Sequence, residues 1–319
     1  MKKVFLSLLA VLSFCAANAQ QDPQFTMNMF NKLAVNPAFA GARNSICASI
    51  LAREQWMGFE GNPSTNVFNG DGGFTFKQKH QMGAGLTLIQ DEIGPINSLN
   101  VKISLAYHYR INQGVLSVGI SPGIFNQSIS ADWRTSEGNF DGTEDPSIPN
   151  SEAGATNFDL GFGLYYYTRD LYVGVSSTHL NQPEITDAPD DDSRYVFNQV
   201  RHYYIMAGYN YQVTPSIELQ PSLFVKSDAV STQIDINVNA EWNNLVFGGV
   251  TYRLEDAVAL IAGVNVPGQF KGLKVGMAYD YNLSDLGDYN DGSLEFLLSY
   301  CLNLEKTPRL ERYKSVRFL

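Results

Sequence analysis

Apolar and polar residues alternate one by one along most of this chain, from about residue 45 to 304. In 101–111, Val101, Ile103, Leu105, Tyr107, Tyr109 and Ile111 share one face, and Lys102, Ser104, Ala106, His108 and Arg110 share the other. In 233–242, Ile234, Ile236, Val238, Ala240 and Trp242 oppose Gln233, Asp235, Asn237, Asn239 and Glu241. In 273–283, Leu273, Val275, Met277, Tyr279, Tyr281 and Leu283 oppose Lys274, Asp280 and Asn282. A helix needs a repeat near 3.6 residues, so these runs are not helical. A strand repeats every second residue, so each run predicts a long strand with one apolar and one wet face.

Fourteen such strands are expected, near 45–55, 65–76, 81–91, 97–111, 114–130, 156–168, 170–180, 202–213, 216–226, 230–242, 245–254, 257–266, 271–283 and 293–305. An even count with strands of this length suits a closed, membrane-spanning antiparallel barrel. The connections sort by parity. Those after even-numbered strands are short: 77–80, Asn112-Gln113, Arg169, Thr214-Pro215 and Asn243-Asn244. The long ones, 56–64, 131–155, 181–201 and 284–292, follow odd-numbered strands. Outer-membrane barrels have short periplasmic turns and long outer loops, whereas a soluble sandwich has no reason to sort its loops. The expected fold is therefore all-β, a transmembrane outer-membrane β-barrel of about 14 strands.

Composition narrows the alternatives. Charged residues are 17% of the 319, below the roughly one quarter usual in soluble domains. The formal charge of −10 argues against nucleic acid as a partner. The single long apolar run is N-terminal, so a helical membrane bundle is excluded. That run reads as a secretion signal: Lys2 and Lys3, then apolar Val4 to Phe14, then Ala17-Asn18-Ala19. A lipoprotein acylated at Cys15 is the rival reading, and Phe14 is too large for it. The expected organisation is a signal peptide at 1–19, an N-terminal periplasmic segment at 20–44, a barrel at 45–305 and a periplasmic tail at 306–319.

The wet face carries both signs of charge: Lys102, His108, Arg110, Asp159, Glu218, Asp235, Glu241, Arg253, Lys274, Asp280 and Glu295. It would line the lumen, either as a solvated, salt-bridged interior or as a selective surface. The outer loops are acidic, through Asp132, Glu137, Asp141, Glu144, Asp145, Glu152, Glu184, Asp187 and Asp190-Asp191-Asp192. Asp285, Asp288, Asn290 and Asp291 add to them. Such oxygen ligands can bind Ca²⁺, but Asp288 to Gly292 is one residue short of EF-hand spacing. Solvated acidic loops are the simpler reading.

Enzyme signals are weak. Gly119-Ile120-Ser121-Pro122-Gly123 fits G-x-S-x-G, yet lies inside an alternating strand and not at a strand-to-helix elbow. His80, His108, His179 and His202 show no metal-ligand spacing. Gly83/Gly85 and Gly161/Gly163, at alternate strand positions, suggest bends or tight inner packing. No catalytic, cofactor or metal residue is expected. Cys47 lies near the start of the first strand and Cys301 near the end of the last. Barrel closure makes those strands neighbours, and both cysteines share the inward phase. They are expected to lie close enough for a disulfide.

Several blocks carry a resemblance. Asp22-Pro23-Gln24-Phe25 is followed by Asn36-Pro37-Ala38-Phe39-Ala40-Gly41. Then come Arg53-Glu54-Gln55-Trp56-Met57-Gly58-Phe59 and Asp91-Glu92-Ile93-Gly94-Pro95. In this order they resemble the PorP/SprF family of type IX secretion system membrane proteins from Bacteroidetes, across the whole mature chain. The resemblance implies a non-enzymatic barrel in outer-membrane lipid that works with type IX secretion components. Its clients would be secreted proteins with a C-terminal sorting domain, such as gliding adhesins, which it helps to export or to anchor at the cell surface. The motif residues read as structural. Asn36-Pro37 and Gly41 suit a turn entering the first strand. Trp56 and Phe59 suit either an interfacial anchor or a plug folded inward. A porin for small solutes is the alternative function. The tail is basic, with Lys306, Arg309, Arg312, Lys314 and Arg317 against Glu311. It is expected to be either solvated or a docking strip for an acidic periplasmic partner.

Overall fold

The structure is a computed structural model that describes residues 22–43, 45–76, 80–130, 134–135, 138–139, 152–186 and 196–303. Among these residues, fourteen strands form one closed antiparallel barrel. They are β1 (Ser45–Glu54), β2 (Ser64–Phe76), β3 (His80–Ile93), β4 (Ile96–Ile111), β5 (Gly114–Ser130), β6 (Glu152–Tyr167) and β7 (Leu171–Thr178). Next come β8 (His202–Tyr209, continuing as Tyr211–Thr214), β9 (Ile217–Ser227), β10 (Thr232–Trp242) and β11 (Val246–Arg253). β12 (Ala257–Asn265), β13 (Leu273–Asn282) and β14 (Ser293–Asn303) complete the wall. Each strand pairs with its neighbours in sequence, and β14 pairs with β1 to close the ring. No described helix is long and apolar enough to cross a membrane.

Alternation decides which way each residue points. In β4, Ile103 is 54% exposed and Tyr109 62%, while Lys102 is 4% exposed and Ser104 1%. Apolar side chains cover the outside and polar ones fill the inside, the reverse of a soluble core. The turns set the two ends. Asn243 and Asn244 both have positive φ, 52° and 53°, which Asn tolerates, and the Leu245 N–H closes their turn on the Trp242 carbonyl at 2.9 Å. The end with the short connections is called the turn end, and the opposite end the loop end.

At the seam, Cys47 and Cys301 are register partners, and the structure joins their sulfurs. The bond links residues 254 apart in sequence and ties the first strand to the last. The signal segment, most of the acidic residues of 131–155 and 187–195, and the basic tail lie outside the described residues.

One sequence-based placement is corrected. Residues 20–44 were expected outside the barrel, and the described part, 22–43, runs through its interior. Thr26, Met27, Asn36, Ala38 and Ala40 are fully buried. The segment contains a short turn (Asn28–Phe30), a four-residue helix α1 (Lys32–Val35) and a second turn (Pro37–Phe39). The reason is physical. A ring of fourteen strands encloses more space than its own polar side chains fill, and those side chains need partners. The N-terminal segment supplies both volume and backbone polar groups. It is called the plug below.

Candidate functional site: the plug seat in the lumen

The plug enters at the loop end with Asp22 and leaves at the turn end with Arg43. Near its start it meets a network of buried charge. Arg53 on β1 stands directly opposite Glu295 on β14 in the register, with Nη1 3.0 Å from Oε2. Its Nη2 lies 2.9 Å from Asp280 Oδ2 on β13. Arg253 on β11 reaches the same Asp280 oxygen at 3.1 Å and Asp235 on β10 at 3.3 Å. The plug completes the network. Backbone N–H groups of Thr26 and Met27 donate to Glu295 at 2.8 Å each, and Thr26 Oγ1 donates to Asp280 at 2.7 Å. The Gln24 carboxamide, with its oxygen toward Arg253, accepts from that guanidinium at 2.8 Å. Buried carboxylates are tolerated here because each faces guanidinium and N–H donors.

A second group holds Asp22. Its carboxylate contacts His179 Nε2 at 3.1 Å and accepts from Thr178 Oγ1 at 3.0 Å and from the Tyr204 hydroxyl. Its backbone N–H donates to His202 Nε2 at 3.1 Å, and its carbonyl accepts from Lys226 Nζ at 2.9 Å. His179 Nδ1 lies 3.0 Å from Asp159 Oδ1, so its ring is held between two carboxylates. Burial opposes its charge, but the neighbouring Asp22 charge and the hydrogen bonds to Asp159 and Asp22 outweigh burial and raise its pKa to about 9. Burial likewise opposes ionised Asp22, yet His202 and His179 hold its pKa well below the usual carboxylate value. The geometry makes a charge-assisted latch. His202 Nδ1 meets the Val200 carbonyl at 3.0 Å, so the partners seen on the two rings are carboxylates and backbone groups.

Further along, wall side chains satisfy plug carbonyls. Lys102 Nζ donates to Ala34 O at 3.0 Å, and His108 Nε2 meets Ala40 O at 2.9 Å. Asn36 caps the second turn by accepting from the Ala38 N–H, and its Nδ2 donates to Leu164 O on β6. Pro37 then starts that turn, where its missing donor costs nothing. Gly41 has φ +73° and donates its N–H to Asp71 on β2. A Cβ there would stand 2.7 Å from Gly83 Cα, so both glycines are needed for backbone to meet backbone. A Cβ on Gly119 or Gly163 would likewise overlap Ala38 or Asn36.

The motif residues therefore converge. Asp22, Gln24, Asn36, Pro37, Gly41 and Arg53 build the seat. Pro23, Gln55 and Trp56 line a loop-end cavity of about 540 Å³. Gly58 and Gly94 take positive φ in loop-end turns. Expecting Asn36-Pro37 and Gly41 merely to turn the chain into β1 missed their partners on β2, β3, β5 and β6. The missed residues are His179, Tyr204, Thr26 and Lys226. The inward phase of Lys226 and the presence of inward glycines were the available signals. Ser121 lies buried within β5, with no elbow around it. Among the described residues no metal-holding cluster of His, Cys, Asp and Glu occurs.

Among curated proteins, none matches the chain. Among solved structures, the CymD monoaromatic hydrocarbon channel is similar at 10% identity and TM-score 0.51, over 85% of this chain and 92% of that one. The Ralstonia pickettii toluene transporter TbuX is similar at 12% identity and TM-score 0.44, over 84% and 92%. The CymD likeness supports the barrel fold alone. The model of the type IX secretion system membrane protein PorP/SprF matches residues 17–300. That match spans nearly the whole chain and includes both halves of the seat, so this protein belongs to the PorP/SprF family of type IX secretion system membrane proteins.

Proposed function

We propose that this protein is a non-enzymatic outer-membrane barrel that helps the type IX system export secreted proteins or anchor them at the cell surface. Its turn end faces the periplasm and its loop end faces outward. Its clients are secreted proteins with a C-terminal sorting domain, and its other partners are components of the export machinery. The basic tail, through Arg309, Arg312, Lys314 and Arg317, is a docking strip for an acidic periplasmic partner.

One observation supports this reading over a solute pore: the plug occupies the lumen and is bound by buried groups at Glu295, Asp280, His179 and Lys102. A barrel closed by its own chain is suited to holding partners at its ends. A mild-detergent pull-down of the tagged protein, read by mass spectrometry, tests it. A large secreted protein with a sorting domain is expected, and deleting 307–319 is expected to remove the periplasmic partner. Recovery of the barrel alone argues for the porin.

A further inference from the structure

A second cavity, of about 590 Å³, opens at the turn end beneath the plug. It shares no lining residue with the loop-end cavity. Five Lys/Arg and two Asp/Glu line it, a positive excess in a chain of net charge −10. Two of its lysines are held by rings and not by carboxylates. Lys32, from the plug, stands 3.5 Å from the Tyr172 ring centroid and 5.6 Å from that of Phe39. Lys274, from β13, stands 4.5 Å from Phe30 and 4.8 Å from Phe247. Neither has a hydrogen-bond or salt-bridge partner among the described residues. Arg43 completes the cluster, with one nitrogen committed to Asp71 at 2.5 Å. Glu241 on the cavity wall offsets this charge only in part.

A π face orients an ammonium group without cancelling its charge, so its remaining N–H donors stay available to an incoming acceptor. Burial, followed by repulsion from Arg43 and Lys274, lowers the Lys32 pKa to about 7. A cation so destabilised gains from an oxyanion beside it. The volume is that of a small-ligand site.

We propose that the turn-end cavity is an oxyanion-binding site, in which Lys32, Lys274 and Arg43 together take a carboxylate or phosphate group against the aromatic wall. The group comes either from a free anion or from an acidic side chain of a protein partner. The site is separate from the plug latch and does not depend on the function proposed above.

Calorimetry on the full-length protein in detergent, at matched ionic strength, tests this with two probes: inorganic phosphate and a capped tri-glutamate peptide. Saturable binding of at least one is expected. The Lys32→Gln/Lys274→Gln double variant should weaken it about tenfold or more, which is about 1.4 kcal/mol. Arg110→Gln, at an exposed position outside this cavity's lining, should leave it within about twofold, as for a screened surface charge. Binding of phosphate assigns the site to free anions, and preference for the peptide assigns it to a protein partner. A second readout needs no variant: acetylation of Lys32 at neutral pH, mapped by mass spectrometry, should slow when the bound probe is present. Failure of both probes to bind or to protect Lys32 overturns the proposal.

Discussion

The two ends of the lumen handle charge in opposite ways. Toward the loop end, Arg53, Arg253, Asp280, Glu295 and His179 face opposite charges or plug backbone at hydrogen-bond distance. At the turn end, Lys32 and Lys274 face rings and a cavity. The first set is buried and neutralised by the chain itself, whereas Lys32 and Lys274 are half-buried and are not. Neutralised charge fixes a segment in place; unneutralised charge calls for a ligand. The plug is anchored along its length, by paired charge toward the loop end and by contacts such as Gly41 N–H to Asp71 toward the turn end, and only at the turn end do lysines remain for the ligand proposed above.

The largest effect should follow from breaking the anchor. Glu295→Ala removes the acceptor of two plug N–H groups and leaves Arg53 with one carboxylate. Loss of one partner from such a buried pair costs about 3–5 kcal/mol, measurable as a lowered urea midpoint of the detergent-solubilised barrel. An unchanged midpoint would mean that Glu295 and the plug are not coupled. Next is the seam. Cys47→Ser/Cys301→Ser should cost roughly 2–4 kcal/mol if the wild-type bond closes the long loop. Unreduced, alkylated wild type should show neither of these two thiols by mass, and two free thiols would contradict the seam.

Smaller is the pH response of the Asp22 latch. His179 has a folded pKa raised from 6.5 to about 9. Its contribution is fully present below 6.5 and is lost as pH rises through about 9. Asp22 is depressed, so its contribution is present above 3.8 and is lost only as pH falls through its lowered value. Hydrogen exchange over 22–30, corrected for the intrinsic rate, should therefore be slowest between those limits and rise above pH 7. His179→Gln should flatten that rise, and an unchanged profile in the variant would show that the latch does not titrate there. The smallest effect belongs to Lys32→Gln: about 1 kcal/mol or less in the same urea assay, because no carboxylate is orphaned. A loss as large as that of Glu295→Ala would erase the distinction between the two ends.

The barrel was legible in the sequence because alternation acts locally. Each strand declares its own two faces, and Asn243-Asn244 declares its own turn. Cys47 with Cys301 could be placed near each other because closure fixes which strands meet. The plug was not legible. Residues 22–43 contain only short turns and one helical turn, with no sustained period, and their burial depends on wall residues far away in sequence. Gly83 and Gly163 were readable as tight inner packing, but not as seats for Ala40 and Asn36. His179 sits just past β7, where the two-residue phase no longer says which way a side chain points. Its pairing with Asp22 therefore had no local signature.

The central claim is that the protein's own N-terminal segment closes its lumen. A planar-bilayer recording of the purified wild-type protein tests it most directly, with a variant lacking 22–41 recorded alongside. Silent wild-type bilayers and stepwise openings in the deletion variant are the predicted result. Steady open-channel steps from wild-type protein without partners would contradict it.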